Sequence, residues 1–156
     1  MILSFRIALR AFADGTPGEG ARLYGGRWNP PGVPVLYTSD SVALAALEVM
    51  ANMSPNFPEP DDDFCRVTYG IPAGTAIRTV DPNTLPTNWQ SHPAPLHLAE
   101  LGRLWSEDKE HLVLKVPSAI VGDSGWNYLF NPRHPDFSTI QMLKKEPFTF
   151  DYRLIR

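Results

Sequence analysis

The apolar and polar positions along this chain change period every few residues, which predicts a run of short elements. Residues 2–9 read as a first strand. Residues 15–29 read as a long loop whose Gly and Pro residues supply unusual backbone angles. An apolar strand is expected over residues 33–38. Ser39-Asp40-Ser41 then offers N-cap oxygens to a helix over about 42–53, rich in alanine, leucine and methionine. That helix is apolar almost all round, so most of it should be buried. Residues 52–63, rich in Pro, Asn and Asp, read as a surface loop leading to a strand at 64–71. Another strand is expected over 75–80. Pro95 suits the first turn of a second helix, in which Leu98, Leu101, Leu104 and Trp105 form an apolar stripe to about Ser106. Strands follow at 112–116 and 148–155. In the last of these Phe148, Phe150, Tyr152 and Leu154 share one face while Thr149, Asp151 and Arg153 share the other. Strands separated by few helices predict an α+β domain on a mixed or antiparallel sheet.

Composition narrows the function classes. A chain of 156 residues is about one domain, and its 43% hydrophobic and 20% charged residues are those of a soluble globular protein. Its sixteen prolines and eleven glycines are spread along the chain, so they punctuate elements and mark no linker. No apolar run approaches the roughly 20 residues needed to cross a membrane, and residues 1–9 lack the pattern of a signal peptide. These features predict a cytosolic protein with no membrane contact. A formal net charge of −3 argues against direct nucleic-acid binding. The single cysteine, Cys65, excludes a disulfide framework and reads as a buried structural thiol.

Several polar residues stand where packing alone does not ask for them. Glu48 interrupts an apolar helix that carries no other charge, so it either lies on the helix's one wet stripe or faces a cleft or meets a cation. Tyr37, eleven residues earlier, ends a strand. Arg27 follows Gly25-Gly26 on a loop able to approach a ligand closely, and its guanidinium matches the geometry of pyrophosphate oxygens. The competing reading of Arg27 is a structural pair with a carboxylate such as Asp40. Gly25-Gly26 is neither a P-loop nor a dinucleotide fingerprint. Ser118, in Pro117-Ser118-Ala119-Ile120, has no His/Asp companions at triad spacing, so it reads as a ligand hydrogen bond or a turn. Asn131-Pro132-Arg133-His134-Pro135-Asp136 reads as a rigid polar turn, and the scattered histidines give no metal site. Trp28, Trp126 and Tyr128 suit a core or a cleft wall.

Taken in order, Arg6, Gly25-Gly26-Arg27-Trp28-Asn29, Leu36-Tyr37-Thr38-Ser39, the helix through Ala45 and Glu48, Val116-Pro117-Ser118 and Asn131-Pro132-Arg133-His134-Pro135 resemble the RES domain over nearly the whole chain. That family contains the toxins of RES-Xre toxin–antitoxin modules and resembles ADP-ribosyltransferases in fold. The resemblance implies a single ADP-ribosyltransferase-like domain over residues 1–156 and a substrate, NAD, that is cleaved with release of nicotinamide. Arg27, Glu48 and Ser118 match the residues that name the family, with Arg6 and Arg22 as rivals for the arginine. One departure is that many relatives place a histidine after the middle of the glutamate helix, where this chain has Asn52 and Met53.

What the resemblance implies for the residues is specific. Arg27 would clamp the pyrophosphate and Tyr37 would stack on the nicotinamide and its ribose. Glu48 would stabilise the oxocarbenium-like cation, while Ser118, Asn131 and Arg6 would help to hold the dinucleotide. No metal is required. An Xre-type antitoxin is the expected partner. Water, phosphate or a protein target would capture the cation. Two other expectations stand beside NAD cleavage: mono-ADP-ribosylation of a protein, and a non-catalytic binding module.

Overall fold

The computed structural model describes residues 1–53, 59 and 62–155. Among them run β1 (Ile2–Leu9), α1 (Arg10–Ala13), α2 (Glu19–Tyr24), β2 (Leu36–Ser39), α3 (Val42–Asn52), β3 (Phe64–Ile71), β4 (Ile77–Thr79), α4 (Leu96–Asp108), β5 (Val113–Ser118), β6 (Gly122–Phe130) and β7 (Gln141–Phe148). The seven described strands form one sheet in the order β4-β5-β6-β2-β1-β3-β7. Only β4 and β5 pair in parallel, so the sheet is mixed and the α+β expectation holds.

The sheet is weakest at its centre. β1 pairs with β3 along its full length, from Ile2↔Ile71 to Leu9↔Phe64, whereas it meets β2 at the single register pair Phe5↔Ser39. Beyond Phe5 the two strands diverge, and the sheet splits into a β1-β3-β7 part and a β4-β5-β6-β2 part. Apolar clusters back both parts, and one of them spans the two by joining Cys65, Val67 and Tyr69 of β3 to Leu36, Val113 and Phe130. Leu98 and Trp105 of α4 pack on Trp28, Leu114, Val116 and Leu129, while Ile7, Ala45, Phe64 and Phe150 join α3 to β1 and β3.

Where the structure departs from the sequence expectations, local chemistry gives the reason. The loop expected over 15–29 contains α2, a six-residue helix set between Gly18 and Gly25, both at positive φ, with Arg22 paired to Glu19 within it. β2 begins at Leu36 because Pro34, which has no N–H, interrupts the approach. α3 starts as expected, with Ser41 Oγ accepting from Leu44 N at 3.0 Å, but only Leu44 and Ala45 are buried. Val42, Ala46, Val49 and Met50 pack half-buried against the core, Val49 also lining a cleft, and Ala43 and Leu47 are exposed, so the expectation of a mostly buried helix is corrected. The β4 and β5 positions shift by one or two residues, and α4 runs to Asp108 with Pro95 at its N-cap. The strand expected over 148–155 is a further correction. Pairing with β3 ends at Phe64↔Phe148, where β3 itself begins, so nothing remains for a longer strand to bond. Phe150 still packs into the core, but Tyr152 and Leu154 are exposed on a single 3₁₀ turn capped by Asp151. The true edge strand, β7, shows no alternation because most of it is exposed on both faces. Most of the loop expected over 52–63 lies outside the described residues. Cys65 is buried, and burial pushes its thiol pKa up, as a structural thiol requires.

Candidate active site

The divergence of β1 from β2 opens a cleft of about 710 Å³, within the range of about 300–1,000 Å³ usual for small-molecule sites. β1 contributes Arg6, β2 Tyr37 and β6 Asn127. The loop after α2 contributes Arg27, and the second half of α3 contributes Glu48. Apolar walls come from Phe12, Tyr24, Val49 and Met53, with Gln90 and His92 at the far side.

Arg27 reaches the cleft because its neighbours are locked on both sides. Trp28 is 2% exposed in the core. Asn29 is also buried; its Nδ2 donates to the carbonyls of Ala21 and Val33 at 2.9 Å each and of Pro30 at 3.1 Å. The Tyr37 hydroxyl donates to Asn29 Oδ1 at 2.6 Å and accepts from Trp28 N at 3.1 Å, so β2 and the loop are fastened by one phenol. Gly26 permits this approach: a Cβ there would lie 2.7 Å from the Tyr37 hydroxyl. The guanidinium itself donates from one nitrogen to the carbonyls of Trp89 and Ser91, both at 2.9 Å. The expected alternative of a pair with Asp40 does not form; Asp40 accepts from Trp126 N instead. Burial draws the Arg27 pKa below its ordinary value, with the nearby Glu48 and Tyr37 opposing the shift. Burial likewise pushes the Tyr37 phenol well above its usual range, so it stays protonated and its ring serves as a wall.

Glu48 is the carboxylate of the cleft. Its Oε1 accepts from Ser118 Oγ at 2.9 Å and from Asn127 Nδ2 at 2.8 Å. Of the two readings open for this residue, the cleft-facing one is what the fold realises. Ser118 is fully buried at the end of β5, and its oxygen also accepts from Ile120 N at 3.1 Å and Val121 N at 3.4 Å. It therefore does not line the cleft, and the expectation that it binds a ligand directly is corrected: its partner is Glu48. Asn131 is not brought to the site either. Its buried amide donates to Ser106 O at 2.9 Å and accepts from Arg133 N at 2.9 Å, which fastens the polar turn to α4. His134 belongs to that turn, with Nδ1 accepting from Asp136 N. Arg22 is engaged with Glu19 and lies off the cleft, whereas Arg6 lines it and also acts on the Tyr69 phenol, whose pKa burial raises and Arg6 pulls back. Sequence reasoning missed Asn127, Ser39 as a site residue, and the structural part of Asn29. An asparagine inside the apolar run Trp126-Asn127-Tyr128-Leu129-Phe130 was the available signal, since buried amides need partners. Among the described residues no group of His, Cys, Asp and Glu side chains is placed to hold a metal ion, and no helix is long and apolar enough to cross a membrane.

The RES domain sequence profile matches residues 4–151. The chain belongs to the RES domain family. This RES domain is 34% identical over 155 residues to a Yersinia enterocolitica protein named Toxin Res, covering 98% of this chain and 99% of that one. It is 32% identical over 144 residues to the Prs ADP-ribosylating toxin of a Sphingobium species, covering 92% and 89%. A segment of 40 residues, 25% of the chain and 22% of the relative, is 50% identical to the NAD(+) phosphorylase MbcT of Mycobacterium tuberculosis. In fold, the RES domain matches a chain of the crystal structure of the M. tuberculosis MbcT-MbcA toxin–antitoxin complex with a TM-score of 0.76 at 19% identity, over 94% of this chain and 84% of that one.

Proposed function

We propose that this RES domain is a toxin that cleaves NAD at the bond between nicotinamide and ribose. The observation that carries the reading is one carboxylate, Glu48, fixed by side-chain donors in a cleft that Arg6, Arg27 and Tyr37 also line. In the proposed pose, Arg27 and Arg6 receive the pyrophosphate, whose paired negative charges match forked guanidinium donors. Tyr37 presents its ring to the nicotinamide end. Glu48 accepts a hydrogen bond from a ribose hydroxyl and stabilises the positive charge that develops on the sugar as the bond breaks. Such a fixed charge acts most strongly once bound substrate displaces water from around it. The bonding pair leaves with nicotinamide, which departs neutral, so the leaving group needs no proton. Water then gives ADP-ribose and a proton; inorganic phosphate would give the 1-phosphate of ADP-ribose. The segment shared with a phosphorylase favours testing phosphate first. An antitoxin of the Xre type would restrain the enzyme, a proposal supported by the fold shared with a toxin–antitoxin complex.

The test is nicotinamide release by the purified chain, with and without phosphate, beside Glu48→Ala. Release by the parent and at least a 1,000-fold loss in a folded variant is the expected result, on the order of what one electrostatic stabiliser supplies. Undiminished turnover in folded Glu48→Ala removes Glu48 from the chemistry. A second reading, transfer of ADP-ribose to a protein, is favoured by the similarity to an ADP-ribosylating toxin over most of both chains. Labelled NAD added to a lysate separates the two: label on a protein band supports transfer, and label only in small products supports cleavage.

A further inference from the structure

We infer that Asn127 is a positioning residue for Glu48, and that Ser39 supports it by donating to its amide oxygen. The inference rests on the NAD-cleaving reading of the cleft, and four observations carry it.

The first is polarity. An ionised carboxylate only accepts, so the edge of the Asn127 amide facing Glu48 must be its NH₂ group. That orientation turns Oδ1 to the opposite edge, where it accepts from Ser39 Oγ at 2.8 Å, so both ends of the amide are engaged. The second is burial: Ser39 is 4% and Asn127 9% exposed, so neither bond competes freely with water. The third is convergence. Asn127 and Ser118 both donate to Glu48 Oε1, and among the described residues Oε2 accepts no hydrogen bond. Two donors on one oxygen fix the plane of the carboxylate and leave the other oxygen with its full accepting power. The fourth is place. Ser39 is the β2 residue paired both with Asn127 on β6 and with Phe5 on β1, at the last contact before the sheet splits. Along β2, Tyr37 and Ser39 share a face, as do Asn127 and Leu129 along β6. The series Ser39, Asn127, Glu48, Ser118 therefore spans three strands and α3 at the edge of the cleft. Its consequence is that Glu48 Oε2 is aimed before any substrate arrives.

The experiment compares the full chain with Asn127→Ala, Asn127→Asp and Ser39→Ala by NAD-cleavage kinetics, thermal melting and a crystal structure of Asn127→Ala. A displaced catalytic group costs rate more than binding, so Asn127→Ala should lower kcat about 100-fold with KM within about threefold of the parent. Ser39→Ala should lose less, because the amide still donates to Glu48 and loses only the bond that supports its oxygen. Asn127→Asp keeps the shape and the bond to Ser39, yet at neutral pH it sets a second acceptor against Glu48. Once protonated, the new carboxyl can donate to Oε1 as the amide does. Activity of this variant relative to the parent should therefore recover as pH falls from about 8 to about 5, the direction expected when one of two close carboxyls binds a proton. Arg6, Arg27, Tyr37 and His92 line the other walls of the cleft and are the same in both proteins, so the ratio of variant to parent isolates the new carboxyl. A residue that only supports the fold would lower the melting temperature and give no such recovery. Parent-like kcat in both folded Asn127 variants overturns the inference, and so does a crystal structure in which Glu48 keeps its place on Ser118 without the amide. A parent that leaves NAD intact defeats the reading of the cleft instead, and the crystal structure still decides whether Asn127 holds Glu48.

Discussion

Glu48 and Arg27 line the same cleft, yet the carboxylate is held by side chains and the guanidinium by main chain. Ser118 and Asn127 donate hydroxyl and amide protons to Glu48 from two neighbouring strands. Arg27 donates to the carbonyls of Trp89 and Ser91, and its loop is fixed by Trp28 in the core and by Asn29 bonded to three carbonyls. The difference has a physical basis. A carboxylate needs donors, and a strand offers spare donors only through side chains, because its N–H groups serve the ladder. A guanidinium needs acceptors, and carbonyls in irregular segments are free to accept. The carboxylate side of the cleft is therefore sensitive to the identity of a few residues, and the cation side to the path of the backbone.

The sharpest way to break the cation side is to move that path. Gly102 sits in α4 directly beneath Trp28, and a Cβ there would lie 1.6 Å from the Trp28 carbonyl oxygen, a separation no flexible side chain can relieve. Gly102→Ala should cost about 3 kcal/mol, the upper part of the usual range for overpacking. For a chain of this length that lowers Tm by roughly 6–12 °C. Because Trp28 adjoins Arg27, NAD affinity should fall as well. Thermal melting and a binding titration check the two effects; an unaltered Tm would mean that α4 does not fix the loop.

The same contrast explains what was legible in the sequence. Glu48 stood out because a charge in an apolar helix is costly without partners, and Arg27 because two glycines preceded it. The strand over Phe64–Ile71 and the start of α3 followed from alternation and an N-cap serine, both local signals. Asn127 and Ser39 were not joined to the site because their link is a bond across the sheet, eighty-eight positions apart in the chain. The error over residues 148–155 has the same origin. Their alternation is real, but a strand also needs a neighbour, and β3 has already ended at that level. Ser118 was found for a reason the fold changes: the resemblance suggested a ligand contact, and the hydroxyl faces Glu48.

Two substitutions sharpen the carboxylate side. Ser118→Ala removes a donor from Glu48 and leaves the N–H groups of Ile120 and Val121 without their acceptor. Both residues are exposed, so water takes over as acceptor, and about 1 kcal/mol is expected in urea unfolding. NAD turnover should fall about tenfold at the same time, less than for Glu48→Ala, since Asn127 still donates to Oε1. Tyr37→Phe tests the junction between the two sides. It keeps the ring and removes the bonds to Asn29 and Trp28, so stability should fall by about 1 kcal/mol while NAD affinity changes little. A large loss of affinity instead would assign the hydroxyl to the substrate.

Ser91→Ala carries the smallest expected effect and tests the comparison most directly. Arg27 bonds to the Ser91 carbonyl, which alanine retains; the serine hydroxyl points to Pro93 O at 3.2 Å in an exposed setting. Stability should change by no more than about 0.5 kcal/mol, with NAD affinity and turnover at the parent level. Arg27→Lys is the counterpart. A single ammonium can follow the Trp89 and Ser91 carbonyls but cannot also present a planar fork to a pyrophosphate. Its KM for NAD should rise while the fold is unchanged. If Ser91→Ala instead weakened NAD binding as much as Arg27→Lys, Arg27 would be held through side chains after all, and the contrast with Glu48 would fail.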